Sequence, residues 1–434
     1  MSSSKTPESY LVIGGSGFVG RHIVNALLAR GDSVSVFDIV QRYHDVQFYS
    51  GDISEEEQVA DALRKSGTTC IIHTASPAHG LEDPALYWKV NVDGTRAVIQ
   101  AAQAVGVRKL VYTSSAGVVF NGEALIDVDE RLPYPEKAMD AYNESKAKAE
   151  EMVLAASGQK GLLTVALRPA GIFGPGDRQV MHGLSQVYDR NQTHFQVGDN
   201  TNMFDWTYVG NVAHAHVLAA DKLAEAILNE GVDEEKRKLE IARSALPPIT
   251  ATNPTHRIPT SEARPLGPYV DLPPDAEKIE ARWNDPDYTP TSERPVKRSR
   301  FDQFSESALS DPDASLSVAG QAFFITNGEP VYFWDFPRTV WTKIDQRTDS
   351  QRKQKGRIVL PRTLGLLLAS GAEWWGWLVG KEPAFTRFRV SFSCASRWYN
   401  IEKARRLLGY EPLVGMDEGI DRMVEWYLEQ LPKA

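Results

Sequence analysis

Residues Tyr10 to Gly20 read Tyr-Leu-Val-Ile-Gly-Gly-Ser-Gly-Phe-Val-Gly, and no other stretch restricts the fold as tightly. Leu11, Val12 and Ile13 form an apolar run suited to a buried strand. Ile23, Val24, Leu27 and Leu28 then recur at helical spacing. A strand that enters a helix through glycines opens a βαβ unit. Backbone at Gly14, Gly15, Ser16, Gly17, Phe18, Val19 and Gly20 can approach a pyrophosphate closely, and the helix N-terminus adds N–H donors. A second strand, Ser33 to Phe37, ends at Asp38. A carboxylate there accepts from adenine-ribose hydroxyls and repels a 2′-phosphate. The expected cofactor is NAD, with Arg42 close enough to admit NADP.

From Ser9 to about Ala220 short apolar strands alternate with amphipathic helices. The strands fall at 10–13, 33–37, 46–49, 69–73, 109–113 and 163–168. This alternation predicts an α/β fold, a Rossmann-type doubly wound parallel sheet. Ligands in such sheets bind at the carboxyl ends of the strands. Gly51-Asp52-Ile53 and His73-Thr-Ala-Ser76 follow two of those ends, so they should share a cleft with the glycine turn.

Tyr142 and Lys146 lie four apart in Tyr-Asn-Glu-Ser-Lys, so on a helix they project from one face. An ammonium beside a phenol favours the phenolate. Such a phenol can take a proton from an alcohol near neutral pH. Tyr112-Thr-Ser-Ser115 precedes them and supplies a hydroxyl to hold the same oxygen.

The chain has 434 residues, enough for more than one structural unit, and a net charge of −9 that argues against nucleic acid as a partner. Its two cysteines, Cys70 and Cys394, cannot build a disulfide framework or a zinc site. His73, His79 and His182 are dispersed, so no metal site is expected. Met1 to Ser9 lacks the apolar run of a signal peptide, which predicts a reducing environment for the cleft.

Three segments are expected: a dinucleotide-binding domain over 9–228, a Pro-rich insertion over 229–319, and a substrate-binding part over 320–434. Substrate-lobe segments should interleave with the first domain from about residue 175. About half of the 25 prolines fall in the insertion, whose composition resembles linker sequence. In 364–379, Leu364, Leu367, Leu368, Trp375, Leu378 and Val379 share one helical face with Glu373 opposite. That face could lie in a membrane interface or pack on the substrate lobe.

These motifs together resemble the extended short-chain dehydrogenases/reductases, their 3β-hydroxysteroid dehydrogenase branch, and within it the sterol-4α-carboxylate 3-dehydrogenases (decarboxylating). The resemblance is carried by His73-Thr-Ala-Ser-Pro-Ala-His-Gly80, Met139 to Lys146, Ala166-Leu-Arg-Pro-Ala-Gly-Ile-Phe-Gly-Pro-Gly-Asp177 and Phe204-Asp-Trp-Thr-Tyr-Val-Gly-Asn211. Lys381-Glu-Pro extends it late in the chain. It implies oxidation of a sterol 3β-hydroxyl and loss of the C4 carboxylate as carbon dioxide, in ergosterol-type C-4 demethylation. It makes Tyr142 the base, Lys146 its activator and ribose ligand, and Ser115, rather than Ser114, the holder of the reacting oxygen. It places Asp52 and Ile53 at the adenine, and Thr74, Ala75 and Ser76 along the cofactor. Pro169, Ala170, Gly171 and Ile172 would flank the nicotinamide.

An apolar substrate makes 364–379 a membrane-contact helix by expectation. The implied location is the cytosolic face of the endoplasmic reticulum membrane, with peripheral or monotopic attachment. The implied partners are a C-4 methyl oxidase, a 3-keto reductase and a second copy of the chain. Arg178 or His182 is the sequence's candidate for holding the substrate carboxylate. The rivals are a 3β-hydroxysteroid dehydrogenase/isomerase, a nucleotide-sugar epimerase or dehydratase, and a non-catalytic NAD sensor. The aromatic C-terminal part argues against a sugar, and the intact Ser, Tyr and Lys argue against a sensor.

Overall fold

The structure is a computed structural model, and it describes residues 8–228, 317–348, 356–380, 385–401 and 403–431. The expected insertion over 229–319 lies outside the described residues except for its last three positions, and Lys381-Glu-Pro lies outside them entirely. Seven parallel strands form the main sheet: β1 (Ser9–Ile13), β2 (Ser33–Asp38), β3 (Gln47–Ser50), β4 (Cys70–His73), β5 (Lys109–Thr113), β6 (Leu163–Pro169) and β7 (Gln321–Ile325). Their order is β7-β6-β5-β4-β1-β2-β3. The chain winds outward from β1 in both directions, so a crevice opens where the order reverses.

Alternation along each strand explains why both faces are covered. Tyr10 and Val12 pack on one side with Ile23, Val24 and Leu27 of α1 (Phe18–Arg30). Leu11 and Ile13 pack on the other with Val59 and Leu63 of α2 (Glu56–Ser66) and Val98 of α3 (Thr95–Val105). Val153 of α4 (Ala141–Ala155) completes that second face.

The expected boundary at residue 320 is crossed by the sheet. Gln321–Ile325 pairs with β6 as the seventh strand, from Gln321 opposite Val165 to Ile325 opposite Pro169. Phe323, Phe324 and Ile325 are apolar on both faces and fully buried, which a sheet covered on both sides accommodates. Leu125–Val128, conversely, leaves the first domain to join a small four-stranded sheet with Arg397–Tyr399, Met203–Phe204 and Val331–Tyr332.

Among the described residues the smaller lobe adds five helices: α5 (Val180–Asp189), α7 (Asp335–Thr348), α8 (Arg362–Val379), α9 (Arg387–Cys394) and α10 (Met416–Gln430). Helix α6 (Val209–Leu228) returns to the main sheet against α1. Phe173, Phe204, Trp206, Phe336, Ile420 and Met423 belong to the core of the small lobe. Asn211 ties the two parts, since its side-chain oxygen accepts from the Leu413 and Val414 amides and its amide donates to the Val414 carbonyl at 2.7 Å.

Helix α8 packs on the lobe by one face and exposes the other. Its small residues Gly365, Ala369 and Gly376 are buried, Gly365 against Val390 of α9. Its large apolar residues face outward: Leu367 is 69% exposed, Trp374 62% and Trp375 63%. Glu373 lies off that face and pairs with Arg387 at 2.6 Å. Among the described residues no helix is long and apolar enough to cross a membrane.

One ion pair is enclosed between sheet and helix. Arg168 of β6 meets Glu150 of α4 at 2.6 Å, and Tyr134 donates to the same carboxylate at 2.5 Å. Removing one partner of such a pair leaves an uncompensated buried charge. Glu150→Ala is therefore expected to cost about 3–5 kcal/mol of stability, read as a lower urea midpoint at unchanged slope.

Candidate active site

The strand ends converge on one cleft of about 1290 Å³. Of the residues expected at the site, all line it except Gly15 and His182: Gly14, Ser16, Gly17, Phe18, Val19, Gly20, Asp38, Asp52, Ile53, Thr74, Ala75, Ser76, Ser115, Tyr142, Lys146, Pro169, Ala170, Gly171, Ile172 and Arg178. Gly15 sits behind the wall against Val36.

The glycine turn is shaped for close approach. Gly14 has φ +83°, and a Cβ there would stand 2.6 Å from the Ala75 nitrogen. A Cβ at Gly20 would collide with the Gly14 carbonyl oxygen. Gly17 precedes α1, so the first-turn amides face the cleft end of the helix. Asp38 accepts from the Ser16 amide at 3.0 Å, which braces the turn and engages one carboxylate oxygen. Arg42 donates to the Ser16 carbonyl at 3.1 Å from the cleft rim.

Asp52 pairs with Lys89 at 2.8 Å, and this hydrogen bond holds its carboxyl down at about 2. Lys89 also lines the cleft. Sequence reading missed it because its partner is 37 positions away. These groups fit a dinucleotide: a cradle without side chains, a helix N-terminus and a carboxylate at the end of β2.

Ser115, Tyr142 and Lys146, the residues expected to be catalytic, sit at the other end. Asp140 caps α4, accepting from the Asn143 amide at 2.8 Å, and so sets the turn that carries Tyr142. Ser115 leaves β5 and accepts from the Gly117 amide at 3.0 Å, which orients its hydroxyl. A Cβ at Gly117 would collide with Asn143, so this glycine lets the Ser115 turn approach α4. Ser76 and Ser115 lie beside the Tyr142 side chain, and both favour its ionised form. His79 stands edge-on to Tyr142 with ring centroids 4.8 Å apart. Lys146 is buried, donates to the Thr113 carbonyl at 2.5 Å and lies 4.4 Å from the Tyr112 ring centroid.

Within the protein alone, burial outweighs the expected effect of Lys146 on Tyr142. Burial, then Asp140 and Tyr87, push the Tyr142 phenol up to about 12, against the two serines. Burial pulls the Lys146 ammonium down to about 7, partly opposed by Glu150. The ammonium points to Thr113 rather than to the phenol. Tyr142 thus needs added positive charge at the cleft to ionise near neutrality.

His73 is a core residue, 3.0 Å from the Thr95 hydroxyl, and burial lowers it to about 3. His182 is exposed on α5 beside Gln186. Arg178 is exposed on the lip of the cleft. Asn91, which sequence reading passed over, is fully buried in the turn before α3 and donates to Ser145 at 2.9 Å. An Asn among Val90 and Val92 was its only signal.

The sequence profile of the 3-beta hydroxysteroid dehydrogenase/isomerase family matches residues 11–236 and 304–355. The chain belongs to this family. It is similar to the sterol-4-alpha-carboxylate 3-dehydrogenase ERG26, decarboxylating, of Saccharomyces cerevisiae, with 38% identity over 98% of this chain and 99% of that protein. The sterol-4-alpha-carboxylate 3-dehydrogenase, decarboxylating, of Mus musculus is 32% identical over 95% of this chain and 89% of its own. Among solved structures, the epimerase Mth375 of Methanothermobacter thermautotrophicus aligns with TM-score 0.60 and 18% identity over 98% of this chain and 93% of that one. The UDP-glucose 4-epimerase of Thermus thermophilus, in complex with NAD, aligns with TM-score 0.56 and 21% identity over 98% of this chain and 100% of that one. At such identities the likeness carries the fold alone.

A buried lysine with a lowered pKa binds fewer protons when folded than when unfolded between about pH 7 and 10.5. Its cost to stability is full below pH 7 and fades as pH rises towards 10.5. Lys146→Met should therefore gain melting temperature over wild type at pH 6, with the gain shrinking by pH 10. Calorimetry at the two pH values measures it.

Proposed function

We infer that this family member is a sterol-4α-carboxylate 3-dehydrogenase (decarboxylating), oxidising a 3β-hydroxyl with NAD and releasing the C4 carboxylate as carbon dioxide. The observation that carries this is near-full-length identity to the yeast enzyme in a chain whose cleft brings Ser115, Tyr142 and Lys146 together. Phe120, Phe204, Trp206, Phe388 and Phe392 line the same cleft and suit an apolar ring system better than a sugar. When bound, the oxidised nicotinamide supplies the hydride acceptor and a positive charge at the cleft. Asp38 at the end of β2 supports NAD over NADP.

Tyr142 takes the proton of the 3β-hydroxyl while Ser115 and Ser76 hold the phenol oxygen in place. The product ketone is β to the carboxylate, so the C4–carboxyl bond can break with its electron pair moving onto the C3 oxygen. The Tyr142 phenol then donates a hydrogen bond to that enolate. Lys146, held on the Thr113 carbonyl, keeps positive charge beneath this site.

The exposed Leu and Trp face of α8 supports peripheral attachment to a membrane, and an apolar substrate supports the cytosolic face of the endoplasmic reticulum. Phe195, Ile358 and Val359, on two paired strands of the same lobe, are exposed as well. Pairing with a second copy, and assembly with a C-4 methyl oxidase and a 3-keto reductase, belong to the same proposal.

Two experiments test this reading. Purified protein with NAD and a 4α-carboxysterol should yield NADH and carbon dioxide in equal amounts. Tyr142→Phe should lose roughly 10²–10⁴-fold in rate while keeping its fold. NADH formed only from sterols without a 4-carboxylate would move the protein to the hydroxysteroid dehydrogenases. For the membrane face, replacing Leu367, Trp374 and Trp375 together by Glu should weaken co-sedimentation with vesicles roughly tenfold or more. Unchanged vesicle binding would sink that part.

A further inference from the structure

Arg397 is a cation enclosed in the small lobe with no anion paired to it among the described residues. It opens the strand Arg397–Tyr399, which lies next to Phe204 in the small sheet. Its carbonyl accepts from the Asp205 amide at 2.9 Å, so the backbone is fixed. Its side chain lines the cleft and is only 7% exposed. The guanidinium carbon lies 3.8 Å from the ring centroid of Phe392, 4.5 Å from Phe120 and 4.6 Å from Phe204. Its Nε has no hydrogen-bond partner, and Nη2 makes one long contact to the Phe392 carbonyl at 3.4 Å.

Among the described residues no carboxylate forms an ion pair with Arg397. Asp140 and Tyr399 are the groups whose charge favours its ionised form, and burial works against both. Asp140 is already committed to the α4 cap and to Asn143. Enclosing a cation without a counter-ion is costly, and three aromatic faces return only part of that cost. A planar guanidinium with an unused N–H suits a carboxylate.

The strand also sets where such a carboxylate would sit. Residues two apart on a strand point to the same face. Tyr399 lines the cleft too, and its hydroxyl donates to the carbonyl of Ala116, next to Ser115, at 3.4 Å. Arg397 lies one pleat away, about 7 Å along the strand. A run of neighbouring rings connects the same wall to the base: Tyr142 to His79, His79 to Phe388 with centroids 5.6 Å apart, and Phe388 to Phe392 with centroids 5.9 Å apart. In a 4-carboxysterol the carboxylate is borne by the carbon next to the one whose hydroxyl meets Tyr142.

We propose that Arg397 is the substrate-binding residue that receives the carboxylate adjacent to the reacting alcohol, and that it sets the preference for acidic over neutral sterols. This rests on the oxidative decarboxylase reading above. Arg178, the candidate from sequence, is exposed on the lip, where water competes for its charge. A neutral 3β-hydroxysterol in the same cleft leaves the buried guanidinium unpaired, and so the site rejects it.

The test compares kcat/KM for a 4α-carboxysterol and for the same sterol without the carboxylate. Wild-type turnover of the carboxysterol tests the functional reading by itself; its absence overturns that reading and this one with it. Given that turnover, Arg397→Met is expected to lose about 30- to 100-fold on the carboxysterol, mostly in KM. Its rate on the neutral sterol should hold within about threefold or rise. A parallel loss on both substrates would make Arg397 a structural residue and overturn the assignment. Should the methionine variant not fold, Arg397→Lys serves. It keeps the charge without the planar fork, so several-fold selective loss on the acid supports the role and an equal change on both substrates overturns it.

Discussion

Burial of the parallel sheet on both faces is the constraint from which the rest follows. Parallel neighbours cannot be joined by tight turns, so the connections cross over, all but the β2–β3 link through a helix. Tyr10 and Val12 then need one helical layer, and Leu11 and Ile13 another. Every strand of the sheet therefore delivers its carboxyl end to the same edge. Gly14, Asp38, Asp52, Thr74, Ser115 and Pro169 are close in space for that reason, although they span more than 150 positions in the chain.

Buried charge is handled in three ways in this fold. Glu150 and Arg168 neutralise each other between α4 and β6, with Tyr134 satisfying a further carboxylate lone pair. Lys146, one turn before Glu150, rests on a backbone carbonyl and is held near its titration point. Arg397 is left with aromatic faces and one long contact to a backbone carbonyl. The first arrangement ties α4 to the sheet. The other two leave charge in reserve at the cleft, where a ligand can complete it.

Much of this was legible in the chain. The glycine turn, the strand endings and the Tyr142/Lys146 spacing are local patterns, set by backbone sterics and helix geometry within a few residues. The amphipathic face of α8 was legible for the same reason. Three features were not. Gln321–Ile325 reads as the start of a separate part, yet it closes the edge of the main sheet, since apolar strands on both sides of a long insertion seek the same two-faced burial. The ordering of Tyr142 and Lys146 pKa values depends on desolvation, which no spacing encodes. Arg397, in Ser-Cys-Ala-Ser-Arg-Trp-Tyr, carries no motif at all.

The sequence by itself therefore determined the sheet's strands, the dinucleotide cradle and the identity of the serine, tyrosine and lysine at its end, because each is specified by neighbours along the chain. Tertiary structure alone decided which wall of the cleft is aromatic, which cation is enclosed there without a counter-ion among the described residues, and that the helix at 362–379 buries Gly365, Ala369 and Gly376 while turning Trp374 and Trp375 outward. Those are questions of what lies beside a side chain in space. The wall around Arg397 joins Phe120, Phe204 and Phe392, residues far apart along the chain, and it exists only once the chain has folded.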